Sequence, residues 1–164
     1  MVKSMLEITK PRELTLESVN LIKVCNEFLD KISGIARKRN VNIILNHPNE
    51  NLIAQIDKKR FQQILLNLFN NSVESMKNGG DFSITIKDKE EIEIIVGDTG
   101  VGIDENSIDK IFDPFFTTKQ TGTGLGLHIT KSIIEQHGGR ITVESDGRSW
   151  THFKIYLPRS NKKE

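Results

Sequence analysis

The apolar positions of the chain follow two different periods. Apolar side chains three and four positions apart predict three helices, at 21–38, 58–77 and 127–137. Asn20 and Asp57 stand where the N-caps of the first two helices belong. Shorter alternating or β-branched runs predict six strands, at 41–45, 52–56, 82–87, 92–96, 141–144 and 151–157. The order α, ββ, α, ββ, loop, α, ββ favours an α+β fold: a two-layer sandwich in which a mixed β-sheet carries the three main helices on one face.

The amino-terminal residues carry too few apolar positions to bury a face of their own. Residues 1–9 have the pattern of a helix fragment that ends at Lys10-Pro11, because a residue before proline disfavours the α conformation. We interpret this fragment as the end of a longer upstream helix, and residues 11–19 as a linker. From Pro158 onward the sequence is polar and predicts a tail.

Composition indicates a soluble, single-domain protein. Of its 164 residues 36% are hydrophobic and 27% are charged, and the net charge of +1 provides no general attraction to nucleic acid or to a membrane surface. The single Cys25 excludes an internal disulfide, and its place on the apolar side of the first predicted helix indicates a core thiol. No apolar run reaches membrane-spanning length, so we expect a cytoplasmic protein.

Glycine is concentrated in one irregular stretch, residues 98–127. Five of the chain's 12 glycines lie here: Gly100, Gly102, Gly122, Gly124 and Gly126. Glycine permits positive φ and close approach of the backbone to a ligand, and successive N–H groups ahead of a helix form a nest suited to phosphate. The stretch therefore predicts a nucleotide site closed by a mobile loop.

The second predicted helix carries Asn67, Asn70 and Asn71 in an otherwise apolar sequence, ILLNLFNNSVESM. Asn67 and Asn71 are four positions apart, so they stack on one face. Taken alone, they are typical of buried polar residues that hydrogen-bond to neighbouring backbone. Next to the glycine-rich stretch, the same face is expected to meet a ligand, and a carboxamide oxygen suits Mg²⁺.

Asp98 ends a predicted strand and precedes a glycine-containing turn. In an isolated Asp-x-Gly the simplest interpretation is a turn-forming residue. At the floor of a pocket, however, an ionised carboxylate only accepts hydrogen bonds, so it could bind the exocyclic amine of adenine. Thr151, on the last predicted strand, could support it through its hydroxyl or through a water.

Other classes of site are excluded by their spacing. GTGLGL lacks the G-x-x-x-x-G-K-[ST] pattern of a Walker A loop and the strand–glycine–helix context of a dinucleotide site. Four scattered histidines and one cysteine do not have the spacing of a zinc site.

Four motifs, in order along the chain, resemble the nucleotide-binding boxes of sensor histidine kinases. NLFNNS resembles the N box, DTGVG the first glycine box, IFDPFFTTK the F box and GTGLGL the second glycine box. The tail HGGRITVES…WTHFKIYLP is similar to the end of the same catalytic domain, and FFTTK to the nitrogen-regulation type of kinase. The resemblance covers the chain from about residue 14. It implies the Bergerat-type α/β sandwich with a long ATP lid, shared with the ATPases of gyrase, the heat-shock chaperone and mismatch repair.

By position, the resemblance implies ATP and Mg²⁺ as cofactors and gives each matching residue a role. Asn71 would bind Mg²⁺, Asp98 the adenine base and Lys119 the phosphates. The implied catalytic residues are Asn67, Asn71 and Lys119. The implied ATP-binding residues are Asn71, Asp98, Gly100, Gly102, Lys119, Thr121, Gly122, Thr123, Gly124, Leu125, Gly126 and Thr151. Phe115 and Phe116 would pack the lid or its docking surface, or else serve as plain core anchors.

The resemblance also implies partners outside this chain. The phosphoacceptor motif, a histidine followed by an acidic residue on a long helix, is absent from the sequence. We therefore expect three parts: 1–13, the end of an upstream dimerisation helix with a linker; 14–160, the catalytic ATP-binding domain; and 161–164, a polar tail. The γ-phosphoryl group of ATP would pass to a histidine of the dimerisation domain and then to a response regulator. The isolated domain is expected to be a monomer and the parent kinase a homodimer, with no direct membrane contact from this chain.

Two departures from the family pattern and two alternative functions are left open. Ser72 stands where alanine is usual, and Trp150-Thr151-His152 replaces the common G-T-x. ATP hydrolases and clamps of the superfamily place a glutamate base four residues before the metal asparagine, where this chain has Asn67, which accepts no proton. The other alternative is a nucleotide-dependent regulatory module, such as a sensor or a serine kinase.

Residues 103–123 are expected to form the lid and to order on nucleotide binding, because they offer little apolar burial.

Overall fold

The computed structural model describes residues 12–120 and 122–159. Its helices are α1 (Leu21–Lys38), α2 (Lys58–Ser75) and α3 (Gly126–Gln136). Its strands are β1 (Glu17–Asn20), β2 (Val41–Asn46), β3 (Ile53–Ile56), β4 (Gly80–Asp88), β5 (Ile92–Asp98), β6 (Arg140–Ser145) and β7 (Thr151–Leu157). Within these ranges, each helix lacks the combination of length and apolar character that a membrane span requires.

Five strands form the main sheet, in the order β2-β4-β5-β7-β6. β2 pairs with β4 in parallel and the other neighbours are antiparallel, so the sheet is mixed. Alternate residues of the central strands, such as Phe82, Ile84 and Ile94, are buried in one core with the apolar faces of the helices. This arrangement confirms the predicted α+β sandwich.

Phe69 of α2 lies within this core and is 1% exposed. Its ring makes edge-to-face contacts with Phe28 of α1, at 6.4 Å between centroids, and with Phe82 of β4, at 5.1 Å. These contacts fix the rotation of α2, so its opposite side, which carries Asn67 and Asn71, faces away from the core. Cys25 on α1 is fully buried, as expected, and burial raises the pKa of its thiol to about 12.

A second, two-stranded sheet shows that the prediction of a linker at 11–19 was wrong for its last residues. β1 pairs with β3 in antiparallel register, with Glu17 opposite Ile56 and Asn20 opposite Ile53. Because β1 is largely polar, its pairing depends on backbone hydrogen bonds that leave no periodic pattern in the sequence. β2 and β3, expected to follow one another through a turn near Pro48, belong to different sheets.

The caps that start α1 and α2 are those expected. Asn20 Oδ1 accepts hydrogen bonds from two first-turn amides at 3.0 and 3.2 Å, and Asp57 Oδ1 accepts one from the amide of Arg60 at 3.1 Å. α2 ends at Ser75, before the predicted residue 77, and Gly79, with φ of 89°, turns the chain into β4.

Candidate functional site

One cleft, with a volume of about 710 Å³, lies between α2, the end of β5, the start of α3 and the long loop that joins β5 to α3. Ten of the residues to which the resemblance gives a catalytic or ATP-binding role line it: Asn67, Asn71, Asp98, Gly102, Lys119, Gly122, Thr123, Gly124, Gly126 and Thr151. Gly100 and Leu125 do not line the cleft, and Thr121 lies outside the described residues. Segments far apart in the sequence therefore meet at one site.

Asp98 forms part of the floor of the cleft and is 6% exposed. It is the last residue of β5, between β4 and β7 in the sheet. Its Oδ1 accepts a hydrogen bond from the amide of Gly100 at 2.9 Å, and its Oδ2 accepts one from the hydroxyl of Ser72 at 2.8 Å. Backbone and helix thus hold this carboxylate in one orientation.

Thr151 stands opposite Asp98 across the β5–β7 pair, but its hydroxyl is directed elsewhere. Its Oγ1 donates to Ser145 Oγ at 3.3 Å, whereas the hydroxyl groups that reach Asp98 come from α2. Ser145 Oγ also accepts the amide of Ile103 at 2.8 Å. The Thr151 hydroxyl therefore makes no direct bond to Asp98, and support of Asp98 through a water stays a prediction. Thr151 instead belongs to a network that anchors Ile103, the first residue of the expected lid.

On the asparagine face of α2, one residue bonds to neighbouring protein and another faces the cleft, so each of the two interpretations of these asparagines applies to one residue. Asn67 Nδ2 donates to the carbonyl of Gly126 and to Thr130 Oγ1, each at 3.2 Å, so this amide fastens α2 to the first turn of α3. Asn71, one turn later, lines the cleft with its Oδ1 3.3 Å from Lys119 Nζ. Asn67 therefore holds two helices together, while the Asn71 oxygen is available to a cation.

Lys119 reaches from the lid across the cleft to α2. Its ammonium group contacts the carboxylate of Glu74 in addition to Asn71 Oδ1. An ammonium group at the Asn71 oxygen shows that this position accepts positive charge, which fits a divalent ion. Among the described residues there is no cluster of three or more His, Cys, Asp or Glu side chains able to hold a metal, so an ion at Asn71 would need further oxygens from phosphates.

Two glycines of the first box are required by close backbone packing. A Cβ at Gly100 would lie 2.0 Å from Ser75 Oγ, and one at Gly102, where φ is 76°, would lie 2.8 Å from the carbonyl carbon of Gly147. Glycine at both positions lets the chain pass against α2 and against the β6–β7 turn. The sequence predicted that the backbone at these glycines approaches a ligand. In the structure it lies close to other parts of the protein.

The two phenylalanines of the F box have different environments. Phe115 is 58% exposed with φ of 65°, and its amide donates to the carbonyl of Gly124 at 2.9 Å. Phe116 is partly buried, packs against the core and lines the cleft. The core-anchor interpretation thus applies to Phe116, and the exposed ring of Phe115 does not anchor the core.

The amino end of α3 faces the cleft through Gly126. Its N-cap, Leu125, offers no side-chain hydrogen bond to the first-turn amides. Unpaired N–H groups at a helix start, together with the helix dipole, favour an anionic group. This end of the cleft is therefore suited to phosphate.

Several lining residues were missed by the sequence reasoning. On α2, Glu74 and Ser75 follow Asn70 and Asn71 by four positions, so helical spacing from the asparagines could have found them. Four apolar lining residues had no such signal, since they come from the lid, α3 and β7: Ile103, Ile111, Leu127 and Phe153.

Comparison with known proteins gives a consistent family. Residues 56–161 match the family described as "Histidine kinase-, DNA gyrase B-, and HSP90-like ATPase". The sensor histidine kinase ZraS of Salmonella typhimurium is 39% identical over 160 residues, which are 96% of this chain and 34% of that protein. Sporulation kinase A of Bacillus subtilis is 35% identical over 160 residues, 96% of this chain and 26% of the relative. The chain thus spans about a third or less of the length of these relatives.

Solved structures show the same fold. The catalytic domain of histidine kinase ThkA superposes with a TM-score of 0.81 at 34% identity, covering 92% of this chain and 100% of that domain. A structure of ThkA in complex with the response regulator TrrA matches with a TM-score of 0.82 at 32% identity, covering 99% of this chain and 47% of the ThkA chain.

Proposed function

The chain belongs to the family of histidine kinase-, DNA gyrase B- and HSP90-like ATPases, and we propose that it is the ATP-binding catalytic domain of a two-component sensor histidine kinase. The proposed reaction is transfer of the γ-phosphoryl group of ATP to a histidine of a dimerisation domain, for relay to an aspartate of a response regulator. The kinase relatives and the ThkA fold support this proposal.

The observation that carries the proposal is the distribution of groups along one cleft. Asp98, an acceptor, lies on its floor, and Asn71, Lys119 and the amino end of α3 border it. In this proposal Asp98 binds the exocyclic amine of adenine, and the phosphates lie towards Lys119 and α3. The base and the phosphates would thus be bound by opposite kinds of group, an acceptor and donors.

Asn71 is the proposed protein ligand of Mg²⁺. Its amide oxygen already lies next to the ammonium group of Lys119, so it is oriented to accept a cation. A bound Mg²⁺ would neutralise charge on the phosphates, which is its general role in phosphoryl transfer. Lys119 would bind phosphate oxygens from the lid side.

Asn67 favours phosphoryl transfer over hydrolysis. Its amide nitrogen donates to Gly126 and Thr130, and an amide does not take a proton from water. A general base is typically worth about 10²–10⁴-fold in rate, so hydrolysis would be slow without one. A histidine nucleophile needs less help, because an imidazole with an unperturbed pKa of about 6.5 is largely neutral near pH 7.

The partners follow from this assignment. The proposed substrate is the phosphoacceptor domain of the parent kinase. Residues 1–13 are the proposed end of its dimerisation helix together with a linker, and of these 1–11 lie outside the described residues. A response regulator is the proposed second partner, and the ThkA–TrrA complex supports this by analogy. We propose that the isolated domain is a cytoplasmic monomer and the parent a homodimer.

The test is incubation with γ-labelled ATP and Mg²⁺, with and without the dimerisation domain of the parent kinase. Acid-labile label is expected on that domain only when both are present, and the chain alone should release little phosphate. Rapid phosphate release, or label on the chain alone, would show the assignment to be wrong. In parallel, Asp98→Ala should abolish ATP binding in calorimetry, and unchanged affinity would remove Asp98 as the adenine-binding group.

A further inference from the structure

The first turn of α3 lacks the side-chain cap that fixes the start of the other two helices. Leu125, its N-cap, makes no side-chain hydrogen bond to the first-turn amides, whereas α1 and α2 are both capped by side chains. Among the described hydrogen bonds, the one that a side chain makes to the backbone of residues 126–129 comes from Asn67, whose Nδ2 donates to the carbonyl of Gly126 at 3.2 Å. The position of this turn therefore depends on α2 rather than on a cap of its own.

The side chain of Asn67 bonds to both ends of one turn of α3. Besides the carbonyl of Gly126, its Nδ2 donates to Thr130 Oγ1, also at 3.2 Å, so the two acceptors are four positions apart on α3. An amide nitrogen has two protons, and these two bonds use both of them. A backbone carbonyl only accepts, so the nitrogen of Asn67, and not its oxygen, must face Gly126. Thr130 is fully buried and does not line the cleft, so its hydroxyl is not part of the surface that a nucleotide would contact.

The same helix, α2, carries the proposed metal ligand. Asn71 lies one turn after Asn67, which places the two residues about 6 Å apart along the helix axis. The rotation of α2 is fixed by the contacts of Phe69 in the core. Asn67 therefore ties the amino end of α3 to the helix that presents the Asn71 oxygen. Phosphoryl transfer depends on accurate positioning, so the separation of these two groups matters for a phosphate chain that contacts both.

We propose that Asn67 is a positioning residue for the phosphate groups of the nucleotide: by holding the first turn of α3 it sets the distance between the amides of that turn and the metal-binding oxygen of Asn71. This inference rests on the proposed function, since it takes those amides and Asn71 as the groups that bind the phosphates and their Mg²⁺. Asn67 then acts through α3 and needs no contact of its own with the γ-phosphoryl group. Its described bonds do not include Asp98, so the base site is independent of it.

The experiment compares the affinities of adenosine, ADP and ATP, the two nucleotides with Mg²⁺, for the unaltered chain and for Asn67→Ala. Calorimetry measures the nucleotides, and an NMR chemical-shift titration measures the weaker adenosine. Asn67→Ala should weaken binding of ADP and ATP on the order of tenfold, because the nucleotide must then order the first turn of α3 without two of its hydrogen bonds. The affinity for adenosine should change by less than about twofold, since adenosine has no phosphate to reach α3.

Thr130→Val tests the same link from the side of α3. It removes the hydroxyl to which Asn67 bonds, keeps a side chain of similar shape, and changes no group of the cleft lining. It should weaken binding of ADP and ATP about threefold and leave adenosine unchanged, because one of the two bonds is lost. In the double variant with Asn67→Ala the two losses should not add, since both variants break the same link. The matched control is Ser132→Ala, which removes an α3 hydroxyl that makes none of the described hydrogen bonds and should leave all three affinities unchanged.

The outcomes distinguish the inference from the proposed function. If ADP and ATP bind the unaltered chain no more tightly than adenosine, the phosphate site is wrong and both fall. If affinity rises with the phosphates but neither Asn67→Ala nor Thr130→Val changes it, only the inference is overturned. It is also overturned if Thr130→Val has no effect, if the two losses add, or if Asn67→Ala weakens ATP but not ADP, since Asn67 would then contact the nucleotide directly. Equal weakening of adenosine, ADP and ATP would mean a general loss of structure and would likewise overturn it.

Discussion

The backbone N–H of Asp57 donates a hydrogen bond to Nε2 of His137 at 3.0 Å and so ties the start of α2 to the end of α3. The other ring nitrogen, Nδ1, donates to the carbonyl of Ile133 at 2.7 Å. His137 is 8% exposed, so water does not readily replace either bond. One imidazole therefore helps to hold the two helices that border the cleft.

Replacing this imidazole should destabilise the fold. His137→Ala leaves the amide of Asp57 without its partner, and an unsatisfied buried donor costs about 1–3 kcal/mol. Urea unfolding should show this loss in the free energy of unfolding. The control is His47→Ala, at an exposed position, whose free energy of unfolding should stay within about 0.5 kcal/mol of that of the unaltered chain. Equal midpoints for the two variants would contradict the structural role of His137.

The carboxylate of Asp57 should make stability depend on pH. Partial burial opposes its ionisation, but the amides of Thr15 and Arg60 donate to it, so its pKa is held below the usual 3.8. Its contribution is therefore fully present above the unfolded pKa and is lost as the pH falls through the lower, folded pKa. Asp57→Asn keeps a capping side chain without the charge, so the difference in unfolding free energy from the unaltered chain should shrink between about pH 5 and pH 2. If the difference in unfolding free energy between Asp57→Asn and the unaltered chain stayed constant across that pH range, the Asp57 carboxylate would not contribute to stability through its charge.

The parts that the sequence predicts well are those with a local physical cause. Asn20 and Asp57 could be predicted as N-caps because a capping side chain bonds only to amides in the first turn of its own helix. β1 has no such signal, since its polar residues gain their structure from the backbone of β3. For the site, the glycines and asparagines are unusual enough in their local context to be noticed. Ser72 stands out in the sequence only as a departure from the usual alanine. Its contact with Asp98 on β5 has no local signal, because it depends on how α2 packs against the sheet.

The second glycine box should contain one position that does not tolerate a side chain and one that does. Gly124 has φ of 71°, and a Cβ there would lie 2.4 Å from the carbonyl carbon of Phe115. Gly126 starts α3 and would meet nothing within 4 Å. Gly124→Ala should therefore break the hydrogen bond that the Phe115 amide donates to the carbonyl of residue 124. Gly126→Ala should instead raise the free energy of unfolding by about 0.5–1 kcal/mol, because alanine is more favourable than glycine in a helix. Exchange of the Phe115 amide, measured without nucleotide, should accelerate in the first variant only.

Glu74 should compete with nucleotide for Lys119. The two side chains form an ion pair at the mouth of the cleft, with 42% of Lys119 and 54% of Glu74 exposed, so the pair is worth at most about 1 kcal/mol. ATP can bind fully to Lys119 only if this pair opens, so Glu74→Gln should tighten binding of Mg²⁺–ATP by about two- to fivefold.

The control for Glu74 is Glu135→Gln, which removes the acidic partner of Lys131 on α3 and should leave affinity unchanged. Calorimetry at low and at high salt should show the gain from Glu74→Gln shrink as the charges are screened. Weaker binding in Glu74→Gln would instead mean that this carboxylate assists the bound metal.

The last prediction concerns the lid, residues 103–123. Its first residue is anchored, because the amide of Ile103 donates to Ser145 Oγ at 2.8 Å. Beyond that point burial is sparse: Ile111 is 7% exposed, Phe112 and Phe116 pack partly against the core, and Phe115 is mostly exposed. Ordering such a segment costs about 1–2 kcal/mol per residue in backbone entropy, which this little apolar contact offsets poorly.

Hydrogen exchange should therefore separate the anchor from the rest. The Ile103 amide should be protected with or without nucleotide. Apart from the Phe115 amide, which is bonded to Gly124, amides from 113 to 123 should exchange rapidly in the free chain and slow when Mg²⁺–ATP is added. Ser145→Ala should speed exchange at Ile103 without nucleotide, since it removes that amide's acceptor. Full protection of 113–123 in the free chain would mean that the lid is already ordered, and its closure could then not depend on the nucleotide.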